Sequence, residues 1–286
     1  MTDEPHVLFE KRGAVGLITL NRPKALNALT HGMCLNMIVQ LKAWAVHDDV
    51  KVVVIQGAGE RAFCAGGDIR SLYESGVNKT PYALSFYRDE YVLNAMIKHY
   101  PKPYVALING IVMGGGVGVS VHGSHRVANE TTTFAMPETG IGLFPDVGGS
   151  YFLPRMDGQI GMYLALTGAR LKTVDTLYSG VATHFVPGAD WPALIADLAA
   201  GKTVDHVVNR KSDDLPAGFL ADHRASIDKI FAHKSVEEIL AALDADHTHW
   251  SRDTAKTIRA KSPTATKIAF RQVREGAKLD FDDCMK

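Results

Sequence analysis

Cysteine is scarce in this 286-residue chain, and what there is does not pair: Cys34, Cys64 and Cys284 are an odd set with no CxxC spacing. That argues against a disulfide framework or a zinc knuckle and fits a reducing compartment. An excess of either charge is missing too. The 31 basic residues balance the 31 acidic ones, so net charge marks neither nucleic acid nor an anionic membrane as a partner. No apolar run approaches the ~20 residues of a membrane span. The first residues, MTDEPHVLFEKRG, have neither the apolar run of a secretory signal nor the Arg- and Ser-rich pattern of a transit peptide, so a cytoplasmic enzyme is expected.

Several catalytic signatures are also absent. No G-x-S-x-G surrounds Ser120 or Ser150, which removes the serine nucleophile elbow. No G-x-x-x-x-G-K-[ST] exists, which removes the nucleotide P-loop. Gly57, Gly59 and Ala62 satisfy G-x-G-x-x-A, yet they lead into FCAGG instead of opening a helix, so the dinucleotide fingerprint is read as incidental. His122 with His125, and His247 with His249, lack the carboxylates of a metal site and read as structural or surface residues. Cys64 has no histidine near it in sequence and reads as a small buried side chain.

What is present is a chain of globular composition, 46% hydrophobic and 22% charged, long enough for one large domain or a core with an appendage. Val7–Glu10 and Gly16–Leu20 read as a hairpin, and NRP ends the second strand because Pro23 lacks a donor. Thr30 caps an expected helix to about His47, with Met33, Met37, Leu41 and Trp44 on one face. Val52–Gln56 and Tyr104–Ile108 are continuous apolar strands. Between them lie a glycine-rich loop with a short helix, then a helix from Pro81 to about Tyr100 with Leu84, Tyr91 and Met96 at apolar positions. Arg88, Asp89 and Glu90 read, on residue type alone, as its solvated face.

Short strands are expected at His125–Ala128, Thr132–Ala135 and His184–Val186. Helices are expected at Gln159–Thr167, Thr173–Tyr178, Trp191–Ala200, Ala225–Ala232 and Val236–Asp246, and after the Ser262 cap. The linker Lys211–Gly218, KSDDLPAG, divides the expected domains: 1–210 as core and 211–286 as a helical C-terminal segment.

The chemistry concentrates between Asn109 and Gly149. Gly114–Gly118 is, on the residues alone, equally a ligand-facing turn or a close helix-to-strand contact. Glu138 and Asp146 sit among Met136, Pro137, Phe144 and Pro145, where water is scarce. With Gly66 and Gly67 after an earlier strand, two glycine turns can each supply one N–H, which together form an oxyanion hole if their strands are neighbours. A thioester or an enolate fits that arrangement.

FCAGGDI at 63–69, NGIVMGGGVG at 109–118 and the pair Pro137–Glu138 resemble the enoyl-CoA hydratase/isomerase, or crotonase, superfamily. Within it, MGGGVGVSVHG, FAMPETGIGLFPDVGGSYFLPR, LALTGARL and ATHFV are similar to the branch that cleaves 3-hydroxyisobutyryl-CoA, a thioester of valine degradation. The likeness runs from about Val7 to Glu275. It implies an α/β fold, a crotonase-like spiral of repeated ββα units followed by helices.

By the same resemblance Gly67 and Gly115 give the oxyanion-hole N–H groups, with Glu138 and Asp146 as the catalytic acids. Glu90, Gly115, Glu138 and Asp146 would contact the substrate, which moves Glu90 off the solvated face. Lys24, Ala25, Leu26, Ala65 and Asp68 would lie along the CoA. No cofactor or metal is expected, since coenzyme A is part of the substrate; the partner is an acyl-CoA thioester, with room for a homo-oligomer.

Two departures matter. Hydratases of the superfamily carry a glutamate three residues after the oxyanion-hole glycine, where this chain has Gly118, and no acid at the position of Asp146. Hydrolysis is therefore favoured over hydration. The chain also stops at FDDCMK, earlier than the hydrolases, so a shortened C-terminal segment is expected. A hydratase or isomerase of the same fold, and a non-catalytic acyl-CoA-binding relative, are the alternatives.

Overall fold

The structure, a computed structural model, describes residues 4–209 and 216–286. The chain opens with β1 (Val7–Arg12) and β2 (Val15–Leu20), an antiparallel hairpin in which Val7 faces Leu20. A single 3-10 turn, Pro23–Ala25, follows, as the missing Pro23 donor dictates. Helix α1 (His31–Ala45) starts where expected: the Thr30 hydroxyl accepts from the Met33 N–H, and Met33, Met37, Leu41 and Trp44 are buried.

Next come β3 (Val52–Gly57), β4 (Ala62–Cys64), α2 (Ile69–Asn78), α3 (Tyr82–Lys98), β5 (Tyr104–Ile108), β6 (Ile111–Met113), the four-residue α4 (Gly115–Gly118), β7 (His125–Ala128) and β8 (Thr133–Ala135). The chain continues through α5 (Gly149–Phe152), α6 (Ile160–Thr167), β9 (Leu171–Lys172) and α7 (Thr173–Tyr178). β10 (His184–Phe185), α8 (Trp191–Ala199) and α9 (Val204–Val208) come next. The last elements are α10 (Phe219–Phe231), α11 (Val236–Asp246), α12 (His249–Arg259), α13 (Pro263–Gly276) and α14 (Phe281–Cys284).

These elements form two compact units, Met1–Phe134 with Val181–Leu215, and Ala135–Gly180 with Pro216–Lys286. The expected division into 1–210 and 211–286 does not coincide with them. The reason is packing: α10, α12 and α13 all pack on α6, so the late helices and the segment from Ala135 share one core. Lys211–Leu215, most of the expected linker, lie outside the described residues.

The first unit is built on a six-stranded sheet in the order β1-β2-β3-β5-β7-β10. All pairings beyond the hairpin are parallel. Val15, Leu17, Val52, Val54, Val105, Leu107 and Val127 occupy alternate positions and so share one face, which is covered by Leu194, Ile195 and Leu198 of α8 and Val207 of α9. Each such side chain contributes ~1.5–3 kcal/mol by leaving water. Val53 and Ile55, on the opposite face, are equally buried, which explains why the strand reads as one apolar run.

In the second unit α6 is buried along its whole length and ends at Gly168. The left-handed φ of 63° there suits glycine, and a Cβ would sit 3.0 Å from the Cα of Pro137. That close approach fixes the backbone immediately before Glu138. Helix α12 was not expected from the sequence, because Ile258 is the one large apolar residue on its buried face, beside Ser251, Thr254 and Ala255. Leu84, expected on the inner face of α3, is 79% exposed; Phe86, Glu90, Leu93, Asn94 and Ile97 form that face.

Candidate active site

Within the first unit the candidate groups are backbone donors. The sequence reading took Phe63 to Asp68 as loop, but Ala62–Cys64 is a short strand that pairs in parallel with Ile111–Met113 through a bulge. Parallel neighbours β3 and β5 each feed one of these two strands. The two glycine turns therefore leave the same side of one strand pair. Leu29 then bridges Gly67: its N–H donates to Gly66 O at 2.8 Å, and its carbonyl accepts from Asp68 N–H at 2.8 Å. This pattern uses the groups on either side of Gly67 and turns the Gly67 N–H the other way.

Gly115 begins α4, where an N–H has no intrahelical acceptor. A Cβ built on Gly115 would lie 3.3 Å from the Gly67 nitrogen. Among the described residues neither N–H enters the backbone hydrogen-bond network. The two glycine turns thus approach each other closely, with both N–H groups outside that network. The same Cβ would overlap Glu90 Oε1, so a side chain here would displace the Glu90 carboxyl, which lies beside Gly115. Glu90 is 1% exposed, which overturns the solvated-face reading drawn from residue type. Of its neighbours, Asp89 pairs with His31 at 2.6 Å and Arg88 reaches Asp89.

The segment before Leu29 is held by two residues that sequence reasoning missed. Asn27, fully buried with a φ of 56°, donates from Nδ2 to Ala58 O and Ala62 O and accepts from the Arg22 N–H. Arg22 donates to Ala28 O and pairs with Asp68 at 2.9 Å. The signal was an asparagine set between Leu26 and Ala28, four residues after Pro23, a position where its amide can satisfy local backbone.

Of the residues expected along the CoA, Leu26 and Ala65 are joined by the Ala65 N–H donating to Leu26 O at 3.0 Å, while Lys24 and Ala25 are exposed on the 3-10 turn. Asp68 caps α2 through the Ser71 N–H. Burial works against its charge, but the Arg22 guanidinium holds it below the usual aspartate range. Its carboxylate is engaged in structure.

Within the second unit the candidate groups are acids. Pro137 precedes a 3-10 turn, Glu138–Ile141, and the loop returns through Pro145, Asp146 and Val147. Glu138 is 5% and Asp146 8% exposed. Glu138 Oε2 and Asp146 Oδ1 find no hydrogen-bond partner among the described residues. Burial raises Glu138 well above the usual carboxylate range, and the Asp146 charge raises it further. Burial also pushes Asp146 up to about 7. A pair of this kind keeps a proton near neutral pH and shares it as a unit. Gly149 N–H donates to Asp146 O at 2.7 Å, and Val147 sits at a φ of 45°, a strained value for a β-branched residue.

Other candidates fall away. Burial pushes the Cys64 thiol up to about 12, so it is no nucleophile at neutral pH. His122 is buried, and His125 pairs with Asp205 at 3.0 Å. No His, Cys, Asp or Glu cluster suited to a metal occurs among the described residues, and no described helix is long and apolar enough to cross a membrane.

Comparison with known proteins bears on the same features. The family model for enoyl-CoA hydratase/isomerase matches residues 15–286. A mitochondrial 3-hydroxyisobutyryl-CoA hydrolase of Danio rerio is 50% identical, over 97% of this chain and 75% of that protein. The Homo sapiens protein of the same name is 47% identical, over 98% and 75%. Among solved structures, a carnitinyl-CoA dehydratase from Mycobacterium thermoresistibile superposes with a TM-score of 0.94 at 44% identity, over 99% of this chain and 83% of that one. The relatives' names correct the expectation of a cytoplasmic enzyme: the curated hydrolases are mitochondrial, which points to mitochondria. The paired glycine turns, the ββ units that carry them and the family match through residue 286 lead to one conclusion: this chain belongs to the enoyl-CoA hydratase/isomerase family.

Proposed function

We propose that the chain hydrolyses the thioester of 3-hydroxyisobutyryl-CoA, or a related short 3-hydroxyacyl-CoA, to the free acid and CoA, as a step of valine degradation. The observation that carries this is the buried Glu138–Asp146 pair together with glycine at position 118. Hydration needs a second carboxylate at 118 to manage its water, and Gly118 offers none. The names of the curated relatives support the same reading.

In this reading the Gly67 and Gly115 N–H groups take the thioester oxygen as negative charge builds on it. Glu138, ionised, acts at the carbonyl carbon by one of two routes. As a general base it takes a proton from water, whose hydroxide adds to the carbon; the tetrahedral adduct then expels CoA thiolate, which is protonated. As a nucleophile it adds itself, expels the thiolate and leaves a mixed anhydride that water cleaves. Asp146 holds the substrate's 3-hydroxyl or the water, and Glu90 lies alongside the acyl group. Leu26, Ala65 and their neighbours Lys24, Ala25 and Asp68 follow the CoA. No separate cofactor is required, because CoA arrives with the substrate.

Free-thiol release from 3-hydroxyisobutyryl-CoA tests the reading, with loss of enoyl absorbance from crotonyl-CoA as the competing assay. Thiol release that disappears in Glu138→Gln supports hydrolysis. Crotonyl-CoA hydration without thiol release would replace it with the hydratase reading, and tight binding of CoA esters with neither activity would leave a binding protein.

A further inference from the structure

The loop that carries the two acids is fastened by a helix that begins more than a hundred residues later, and the fastening is polar. Ser262 caps α13 with its hydroxyl, which accepts from Ala265 N–H, while its own backbone N–H donates to Thr139 O at 3.0 Å. Thr139 directly follows Glu138. Further along the same helix, Gln272 Nε2 donates to Pro145 O at 2.7 Å, and that carbonyl belongs to the peptide joining Pro145 to Asp146. One rigid helix thus grips the residue after one acid and the residue before the other.

Gln272 is an unexpected side chain for its position. Ala265, Ala269 and Gly276 form the buried stripe of α13, and Gln272 falls on it at helical spacing. Its Oε1 is buried without a partner among the described residues. Leaving a buried acceptor unmade is costly, and an unbranched apolar residue of the same length would fill the space without that cost. What only the glutamine supplies is the Nε2 donor. On the other side of Asp146, Val147 holds a backbone conformation that persists only when its surroundings over-determine it.

We infer that Gln272 is a positioning residue for the proposed reaction: through the Pro145 carbonyl it holds Asp146 in register with Glu138. The inference rests on the hydrolase reading, in which Asp146 orients the water or the 3-hydroxyl. Glu138 is the acid paired with Asp146, and Lys261, whose Nζ lies 3.5 Å from where a Gly140 Cβ would be, is a cation near the same loop.

The test is a double-mutant cycle on the full chain, read by thiol release from 3-hydroxyisobutyryl-CoA. Gln272→Met keeps length and volume but removes the donor. It is expected to lower kcat about tenfold with KM changed less than about twofold. In an Asp146→Asn background the same substitution should cost nothing further, because Gln272 acts through Asp146. Gln272→Lys, which restores an N–H donor of similar reach, should recover most of the loss. A Gln272→Met enzyme with unchanged kcat, or losses that multiply in the double mutant, would overturn the inference. If the unmutated chain releases no thiol, the hydrolase reading fails instead. The carboxyl titration of Asp146, followed by carbon NMR, then decides on Gln272: Gln272→Met should let the loop hydrate and bring Asp146 down toward ordinary aspartate, and an unmoved titration would count against it.

Discussion

The two units furnish the proposed chemistry in opposite ways. In the first, the useful groups are backbone N–H donors at Gly67 and Gly115, and side chains such as Asn27 and Arg22 serve to hold that backbone. In the second, the useful groups are the Glu138 and Asp146 side chains, and the backbone around them is pinned by Ser262 and Gln272. A donor made of main chain survives any change of side chain short of proline, whereas a carboxyl can be deleted by substitution and must be kept dry enough to hold its raised pKa. The first unit's site is therefore sensitive to added volume, and the second's to lost charge and to pH.

The largest effect should come from the second unit. Glu138→Gln keeps the shape and removes the acid, and thiol release should fall ~10³-fold or more. Full activity in that variant would reverse the roles assigned to the two units. Gly115→Ala should come next. Its methyl overlaps Glu90 Oε1 and crowds the Gly67 nitrogen, so kcat should drop on the order of 10²-fold, comparable to loss of an oxyanion donor. An enzyme indifferent to that methyl would show that the donors do not carry the charge.

The pH dependence separates the units further. Because Asp146 is pushed up to about 7, and Glu138 is raised beside it, the rate should fall as pH drops below about 7 and the pair becomes protonated. Stability should run the other way. Between an ordinary aspartate pKa and about 7 Asp146 binds more protons in the folded chain than in the unfolded one, so its contribution to stability declines as pH rises through that window. Asp146→Asn should accordingly raise the melting temperature at pH 8 and change it little at pH 4, which a pair of thermal scans would show. The smallest effect on chemistry should come from Asn27→Ala. Three hydrogen bonds are lost, so chemical denaturation should register ~3 kcal/mol less stability, while kcat at 25 °C stays within a few-fold. A collapse of kcat without loss of stability would mean that Asn27 does more than hold the loop.

Legibility in the sequence followed the range of the interactions involved. Thr30 and Ser262 were readable as caps because a cap bonds three residues on, and Tyr104–Ile108 was readable because burial on both faces leaves no polar position. Strands β4 and β6 were not, since three residues carry no period and their pairing lies far apart in sequence. Helix α12 escaped because its buried face holds one large apolar residue, Ile258, among small and hydroxyl residues. Glu90 illustrates the limit most sharply. Arg88-Asp89-Glu90 looks solvated by composition, and only the resemblance, then the structure, took Glu90 inside.

The sequence by itself determined which groups exist: glycines where a side chain would obstruct, two acids among apolar neighbours, and Gly118 in place of a further acid. It also determined the family, through motifs long enough to be specific. The tertiary structure decided what those groups are worth. The Gly67 and Gly115 turns meet, as the proposed oxyanion hole requires, only because parallel strands bring them together. The Asp146 carboxyl is pushed up to about 7 only because folding buries it. Residue identity is local, but desolvation and convergence are sums over neighbours that the chain brings together only by folding.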